Sequence, residues 1–155
     1  QHYGDYKLSF IDHLGLNKKV TFTGETSGKL HAHGQKVLTD GHILHNRHMI
    51  RHKNGWFGEI NKTMIATIDL ESATNVSSVK FGFQPEVGIR MLSPETAIIE
   101  LSLDGTNWQQ VAKQHTKYAS RSGKSAIILS FSPQSAKYVR ITAINAYRFD
   151  ELIIE

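Results

Sequence analysis

Apolar side chains occupy every second position in several segments of this chain. The segments are 64–70, 79–83, 99–103, 127–131 and 139–143. A period of two is typical of a strand with one buried face, so each segment predicts a β-strand. Shorter β-branched or apolar runs predict further strands at 18–23, 36–39, 108–112 and 149–154. Eight or nine short strands without a long helix indicate an all-β antiparallel sandwich or barrel.

The pattern also assigns faces and connections. We expect Leu101 and Leu103 to face inward, and Ser102 to face outward between them. Asp104-Gly105 is a strong turn signal and predicts a hairpin with the strand that follows it. The polar segment 113–124 and the segment 84–94 are predicted loops, and Pro133 is predicted to end a strand.

The N-terminal region has a weaker pattern. Phe10, Ile11 and Leu14 are spaced like one helical turn, and an irregular segment fits them equally well. We therefore divide the chain into an N-terminal lead-in, residues 1–16, and one β-sandwich domain, residues 17–155.

Composition narrows the class of protein. The chain has 155 residues, of which 39% are hydrophobic and 21% charged, and these values are ordinary for one soluble globular domain. No apolar run reaches the length of about 18 residues that a transmembrane helix needs, and the first residues resemble neither a signal peptide nor a transit peptide. There are no cysteines, which excludes disulfides, thiolate nucleophiles and Cys-type zinc sites. The net charge of +4 is small, and the basic residues are scattered along the chain. We therefore expect no nucleic-acid partner.

One stretch, residues 38–58, stands out from the predicted sheet. It reads LTDGHILHNRHMIRHKNGWFG and has no carboxylate between Asp40 and Glu59. His42, His45, His48 and His52 have the spacing of ligands along one helical face. A zinc site of this kind usually adds a carboxylate or a cysteine and further polar partners, and none is nearby. We therefore expect a polar, partly cationic loop without zinc.

The sequence offers little for catalysis. It contains no G-x-S-x-G nucleophile motif and no Gly-rich phosphate loop between a strand and a helix. Asp69 and Glu71 lie at a predicted strand end and do not form a paired acid and base. We therefore expect no enzymatic activity from this chain by itself.

A set of short motifs connects the chain to a known group. The motifs are KKV at 18–20, LTDG at 38–41, WFG at 56–58, ATIDL at 66–70, SSVKFGF at 77–83, SLDGTNW at 102–108, AKYVRI at 136–141 and DELIIE at 150–155. In this order they resemble a coagulation factor V/VIII type C, or discoidin-like, domain. More narrowly, they are similar to the C-terminal accessory modules of bacterial β-N-acetylhexosaminidases, which are chitobiase-like glycosidases. The resemblance implies an eight-stranded, galactose-binding-like jelly-roll sandwich whose loops at one end bind ligand.

The resemblance also implies structural features around individual residues. Many relatives hold calcium near the Asp of the DG turn and a Glu of the last strand, and Asp40 and Glu151 match these positions. The intervening oxygen ligands are replaced here by His42 and its apolar neighbours, whereas calcium takes six to eight oxygens. No cofactor is required on this view, and a structural calcium ion stays open. Trp56 and Trp108 match aromatic positions that pack in the core of relatives.

In bacterial relatives the ligand is usually a glycan, and the residues fit that chemistry. A sugar presents hydroxyl groups at fixed angles and an apolar ring face, so a site needs planar or two-sided polar groups and an aromatic platform. The predicted site residues are His45, Asn46, Arg47, His48, Arg51, Arg90, Tyr147 and Arg148. Tyr147 is the predicted platform, and Tyr118 in the segment 113–124 is a further candidate.

These expectations combine into a function. The resemblance implies a non-catalytic carbohydrate-binding accessory module of a larger secreted bacterial glycosidase, outside the cytoplasm. Its partners would be the terminal sugar of a polysaccharide or glycoprotein and the catalytic domain of the same polypeptide. One alternative is a structural domain that packs against that catalytic domain, because the segment 145–148 is shorter than the loop of relatives. Another is an adhesion domain for proteins or lipid surfaces, for which Met49 and Ile50 are the obvious apolar pair.

The histidines in the stretch 38–58 predict a pH dependence. Free imidazole titrates near pH 6.5, so this stretch gains positive charge on mild acidification. We expect the affinity for an acidic glycan to be higher at about pH 5.5 than at about pH 7.5. Glycan-array binding at the two pH values tests this, and a set of neutral, pH-insensitive ligands contradicts it.

Overall fold

The computed structural model of the protein describes residues 8–24, 39, 41–44, 58–83, 96–115 and 125–155. The elements with defined bounds are all β-strands. They are β1 Leu8–Phe10, β2 Val20–Gly24, β3 His42–Leu44, β4 Gly58–Phe83, β5 Thr96–Ser102, β6 Gln109–His115 and β7 Ser125–Ile154. Within the described ranges, no helix has the length and apolar character needed to cross a bilayer.

The strands form two antiparallel sheets. One is the small pair β1-β3, and the other has five strands in the order β2-β4-β7-β5-β6. Strands β4 and β7 have 26 and 30 residues, several times the usual strand length of about 5–6. Each of them therefore bends and takes part in the sheet more than once.

The register of β4 and β7 shows how the sheet folds into two layers. In the first layer, residues 64–69 of β4 lie between β2 and residues 138–143 of β7, and β5 pairs with the far side of β7. In the second layer, residues 79–83 of β4 lie between residues 125–129 and 149–154 of β7. The antiparallel all-β sandwich expected from the sequence is confirmed. The eight short strands are not, because backbone pairing continues along β4 and β7 through segments that were predicted as separate strands.

Both layers contribute to one hydrophobic core. Residues at alternating positions are fully buried in the first layer, where they include Met64, Ala66, Ile68, Val139, Ile141 and Ala143. Val79, Phe81, Leu152 and Ile154 are the fully buried members from the second layer. All ten belong to one contiguous cluster, so the inward faces predicted for segments 64–70 and 139–143 are confirmed.

The prediction for the end of β5 is wrong. Leu103 is 60% exposed, whereas Ser102 is 4% exposed. The Ser102 hydroxyl accepts the backbone N–H groups of Asp104 at 3.3 Å and Gly105 at 2.9 Å. The turn begins at Ser102, whose hydroxyl accepts these hydrogen bonds from inside the turn. The alternation of buried and exposed side chains therefore ends one residue early, and Leu103 faces solvent.

Three strands extend beyond the sequence prediction. Strand β1 occupies part of the lead-in, where a helical turn or an irregular segment was expected, and pairs with β3 inside the stretch 38–58. Strand β6 continues to His115, into the predicted loop 113–124, because Lys113 and Gln114 pair with β5. Pro133 does not end β7. In each case pairing with a distant strand overrides a weak local pattern.

His13 ties the N-terminal region to the last strand. Its Nδ1 accepts the backbone N–H groups of Gly15 at 3.1 Å and Ile154 at 3.3 Å, so the proton of the neutral ring is on Nε2. That Nε2 atom is buried and has no hydrogen-bond partner in the described part of the chain. Burial lowers the pKa of His13 below 6.5, and the Thr39 backbone and the charges of Asp12 and Glu155 offset this in part.

Core burial predicts a sharp contrast between two isoleucines of β7. Ile141 is fully buried and Ile128 is 60% exposed. We expect Ile141→Ala to lower the free energy of unfolding by about 2–5 kcal/mol because it leaves a cavity. Ile128→Ala is the matched control and should change the free energy of unfolding by less than about 0.5 kcal/mol. Urea unfolding of both variants checks this, and equal losses would contradict the core described above.

The environment of His13 predicts a pH-dependent stability. Folding lowers the pKa of His13, so the unfolded chain binds the proton more readily. The contribution of neutral His13 to the free energy of unfolding is fully present above the usual pKa of 6.5 and is lost as the pH falls below that value. His13→Asn keeps an acceptor without titrating, so its unfolding free energy should fall less than that of wild type between about pH 7.5 and about pH 5.5. Identical losses in the two proteins would exclude His13 as the cause.

Candidate functional site

Several described residues that flank the long connections between strands lie at one end of the sandwich. At this end Gly58 and Phe83 of β4 both pair with Phe149 of β7, and Phe83 also pairs with Ser125. On the neighbouring strands, Thr96 pairs with His115 and with Ile144. We call this end the loop end. Residues 143–149 of β7 run through it, so β7 holds the flanks together.

The predicted carbohydrate site relates directly to the loop end. His45, Asn46, Arg47, His48 and Arg51 belong to the connection between β3 and β4, and Arg90 belongs to the connection between β4 and β5. These six residues, with Trp56 and Tyr118, lie outside the described residues. The structure brings Gly58, which follows the first connection, together with Phe83 and Thr96, which flank the second. The contacts of the six side chains stay a prediction.

Tyr147 and Arg148 are on β7 within the loop end. The backbone of Arg148 pairs with Glu59 at the start of β4. Their side chains are not among the described ones, so the proposed aromatic platform also stays a prediction. Their place on β7 puts both next to the start of β4, where the stretch 38–58 enters the sheet.

His115 is a loop-end residue that the sequence did not single out. Its Nδ1 lies 3.0 Å from the hydroxyl of Thr96, within hydrogen-bonding distance. Thr96 is 4% exposed, whereas His115 is exposed. A buried hydroxyl therefore orients an imidazole that is open to solvent at the edge of the predicted site. The sequence carried no clear signal for this position, because β6 has no alternation of apolar and polar residues and the segment 113–124 is polar.

Near the predicted calcium site, two backbone carbonyl oxygens already accept hydrogen bonds. Asp40 lies outside the described residues, and only the backbone of Glu151 is described, paired with Gly82. On either side of Asp40, the Thr39 carbonyl accepts the N–H of Asn17 at 2.8 Å, and the Gly41 carbonyl accepts the N–H of Ile11 at 2.8 Å. Among the described side chains, no group of three metal ligands occurs. Each of these carbonyl oxygens keeps a second lone pair, and calcium at Asp40 and Glu151 stays a prediction.

Trp108 packs on the outside of the sheet, and its predicted place in the core is wrong. The ring is half-buried, and the Arg140 guanidinium lies 4.1 Å from its centroid. Arg140 in turn makes two hydrogen bonds to the Glu100 carboxylate, at 3.0 and 2.9 Å. Trp108 follows the tight turn after β5 and is directed over the outer face, where a cation–π contact replaces core packing.

The opposite end of the sandwich holds the Asp104-Gly105 turn, which lies beside Tyr138. We call it the turn end. At the Asp104-Gly105 turn, Gly105 has a φ of 79°, and a side chain there would lie 3.3 Å from the ring of Tyr138. The Asp104 carboxylate accepts N–H groups from Thr106 and from Asn107, each at 2.8 Å. These hydrogen bonds stabilise the charged form and hold the pKa of Asp104 far below its usual range.

Four of the described carboxylates make hydrogen bonds or ion pairs with other groups of the protein. Glu100 binds Arg140, Asp104 organises its turn, and Asp69 accepts the backbone N–H of Glu71 at 2.8 Å. Glu71 has a φ of 73° and an ion pair with Lys18 at 3.1 Å. Asp69 and Glu71 therefore stabilise the bend of β4, Glu100 links β5 to β7 on the outer face, and Asp104 stabilises its own turn.

Solved structures with a similar fold include sugar-binding modules. Chitosan-binding module 1 of a chitosanase/glucanase from Paenibacillus sp. IK-5 is 20% identical, with a TM-score of 0.62 over 94% of this chain and 99% of that module. Module 2 of that enzyme, solved with chitotriose, is 19% identical, with a TM-score of 0.61 over 91% and 98% of the two chains. The module CpGH89CBM32-5 of Clostridium perfringens, solved with GalNAc-β-1,3-galactose, is 20% identical, with a TM-score of 0.58 over 89% and 94%. At these identities the likeness establishes the fold.

Sequence comparison places the chain more closely. No curated protein sequence matches it. The sequence pattern of one family matches residues 47–141, more than half of the chain, and includes β4, β5 and β6 with four of the eight predicted site residues. The chain belongs to the F5/F8 type C family of NedA-like, galactose-binding domains.

Proposed function

We propose that this chain is a non-catalytic carbohydrate-binding module of a larger secreted glycosidase, and that it binds glycans at the loop end. One observation carries the proposal. Around residues 143–149 of β7 lie five residues that flank the connections 45–57, 84–95 and 116–124, namely Gly58, Phe83, Thr96, His115 and Ser125. These connections contain most of the polar and cationic residues predicted from the sequence to contact sugar.

The chemistry of the loop end supports a glycan ligand. Arg and His offer N–H donors to ring hydroxyls, and Asn offers both a donor and an acceptor. His115 adds an imidazole that Thr96 holds at 3.0 Å. A partly preorganised set of donors binds with less loss of side-chain entropy than a set of free ones.

Similar solved structures and the energetics of tethering support the accessory role. The Paenibacillus modules derive from a chitosanase/glucanase. A single shallow sugar site binds weakly, and attachment to an enzyme turns weak binding into a raised effective concentration at the polymer surface. Four of the described carboxylates, Asp69, Glu71, Glu100 and Asp104, have structural partners, which supports a chain whose catalysis belongs to a separate domain.

A glycan screen on matched variants tests the proposal. We expect wild type to bind at least one neutral or acidic glycan. Arg47→Ala/His48→Ala should lose about tenfold or more in affinity, since it removes two charge-assisted donors. Titration calorimetry with the best ligand from the array gives the affinities.

Lys19→Ala is the control for charge. Lys19 is exposed and directly precedes Val20, which pairs with Ile68 in the half of β4 near the turn end. The Lys19→Ala affinity should match that of wild type. If wild type binds no glycan in the screen, the chain is better explained as a domain that packs against its catalytic partner.

A further inference from the structure

The turn end carries an open polar pocket of about 350 Å³. We propose that this turn-end pocket is a second carbohydrate-binding site, selective for uncharged pyranose residues. The site is separate from the loop end and shares with the proposed function only the class of ligand. Its lining includes Asp104, Asn107, Trp108, Gln109, Gln134 and Ser135.

The turn that forms one wall is rigid before any ligand binds. The Asp104 carboxylate accepts the N–H groups of Thr106 and Asn107, and also the Asn107 amide at 2.7 Å. The Ser102 hydroxyl lies 3.1 Å from the same carboxylate. Because the turn is already ordered by these hydrogen bonds, binding would not have to supply the entropy of ordering it.

Trp108 supplies an aromatic surface that is also fixed in advance. Its ring is held by the Arg140 guanidinium at 4.1 Å, and Arg140 is held by its two hydrogen bonds to Glu100. The indole lines the pocket and is half-buried. An indole of this kind packs well against the apolar face of a pyranose ring.

Polar groups without protein partners lie beside the indole. Within the described part of the chain, the structure gives no hydrogen bond to the side chains of Gln109, Gln134 or Ser135. Each glutamine amide has two donors and an acceptor, and the serine hydroxyl has one donor. Neighbouring sugar hydroxyls both donate and accept, so amide and hydroxyl groups around an aromatic surface match them.

The charge around the pocket selects for neutral ligands. Asp104 keeps its negative charge because its hydrogen bonds lower its pKa. The nearby cations are already engaged, since Arg140 pairs with Glu100 and Lys137 lies over the ring of Tyr138 at 5.3 Å. An acidic sugar would therefore meet a carboxylate without a compensating cation among the described residues. The loop end, with its Arg and His residues, has the opposite preference.

The two ends are far enough apart for separate ligands. Strand β5 runs from Thr96 at the loop end to Ser102 at the turn end, a distance of about 20 Å at the usual rise per residue. Two sites at this separation could hold two parts of one polymer or two neighbouring chains. Such bivalent contact raises the affinity for a polymer above that for either sugar alone.

Nuclear magnetic resonance of the two tryptophan side chains tests the proposal. The sequence contains only Trp56 and Trp108, so the ¹⁵N-labelled protein has two indole N–H signals, and Trp108→Phe assigns them. The probes are the neutral N-acetylchitotriose and GalNAc-β-1,3-galactose, with trigalacturonic acid as the acidic comparison. We expect a neutral probe to shift the Trp108 signal saturably and the acidic probe to shift it less. Arg47→Ala/His48→Ala should leave this response unchanged.

Two glutamine pairs provide the matched variants. Gln109→Ala/Gln134→Ala removes polar groups from the pocket and should weaken the response at Trp108 by about tenfold. Gln110→Ala/Gln114→Ala changes the same residue type at exposed positions of β6 outside the pocket lining, and should bind like wild type. A Trp108 signal that no neutral probe moves, or equal effects of the two pairs, overturns the proposal. Loss of glycan affinity in Arg47→Ala/His48→Ala alone would then leave the loop-end function standing.

Discussion

Antiparallel pairing between β4 and β7 is the interaction on which the rest of the structure depends. These two strands meet in both layers of the sandwich, and residues 79–83 of β4 have β7 on both sides. The fully buried Phe81 and Ile141 lie on this pair and contribute to the common core. In the described part of the chain, the second layer is formed by β4 and β7, which also form the centre of the first layer. Neither layer could therefore fold without the other.

The same pairing separates the two ends of the molecule. At the loop end, β7 passes between the ends of β4 and β5, and the long connections leave from this paired edge. At the turn end, Asp104 closes a tight turn with its own hydrogen bonds. A sandwich with a well-paired centre can therefore change its connections with little cost to the core, and this is how loops on a rigid scaffold usually carry recognition.

Charged groups of the described region mostly strengthen the frame. Arg140 of β7 joins Glu100 of β5 and Trp108, which directly precedes β6. Lys18 joins the lead into β2 with Glu71 at a bend of β4. Both Arg140 and Glu100 are partly exposed, at 28% and 22%, so their ion pair orients the outer face more than it adds stability. The recognition hypothesis concerns the Arg and His residues of the stretch 38–58, whose side chains lie outside the described ones.

Local pattern alone determined much of this protein. The alternation of Met64, Ala66 and Ile68, and of Val139 and Ile141, predicted which faces are buried, since side chains of a strand alternate whatever lies beside it. The ordered motifs predicted the family and the sandwich. The tertiary structure decided what depends on distant partners: that β4 and β7 continue as long strands, that Ser102 turns inward to bind the turn, and that Trp108 lies on Arg140 outside the core. It also decided that Thr96 orients His115 at the loop end, because the two residues become neighbours only when β5 and β6 pair.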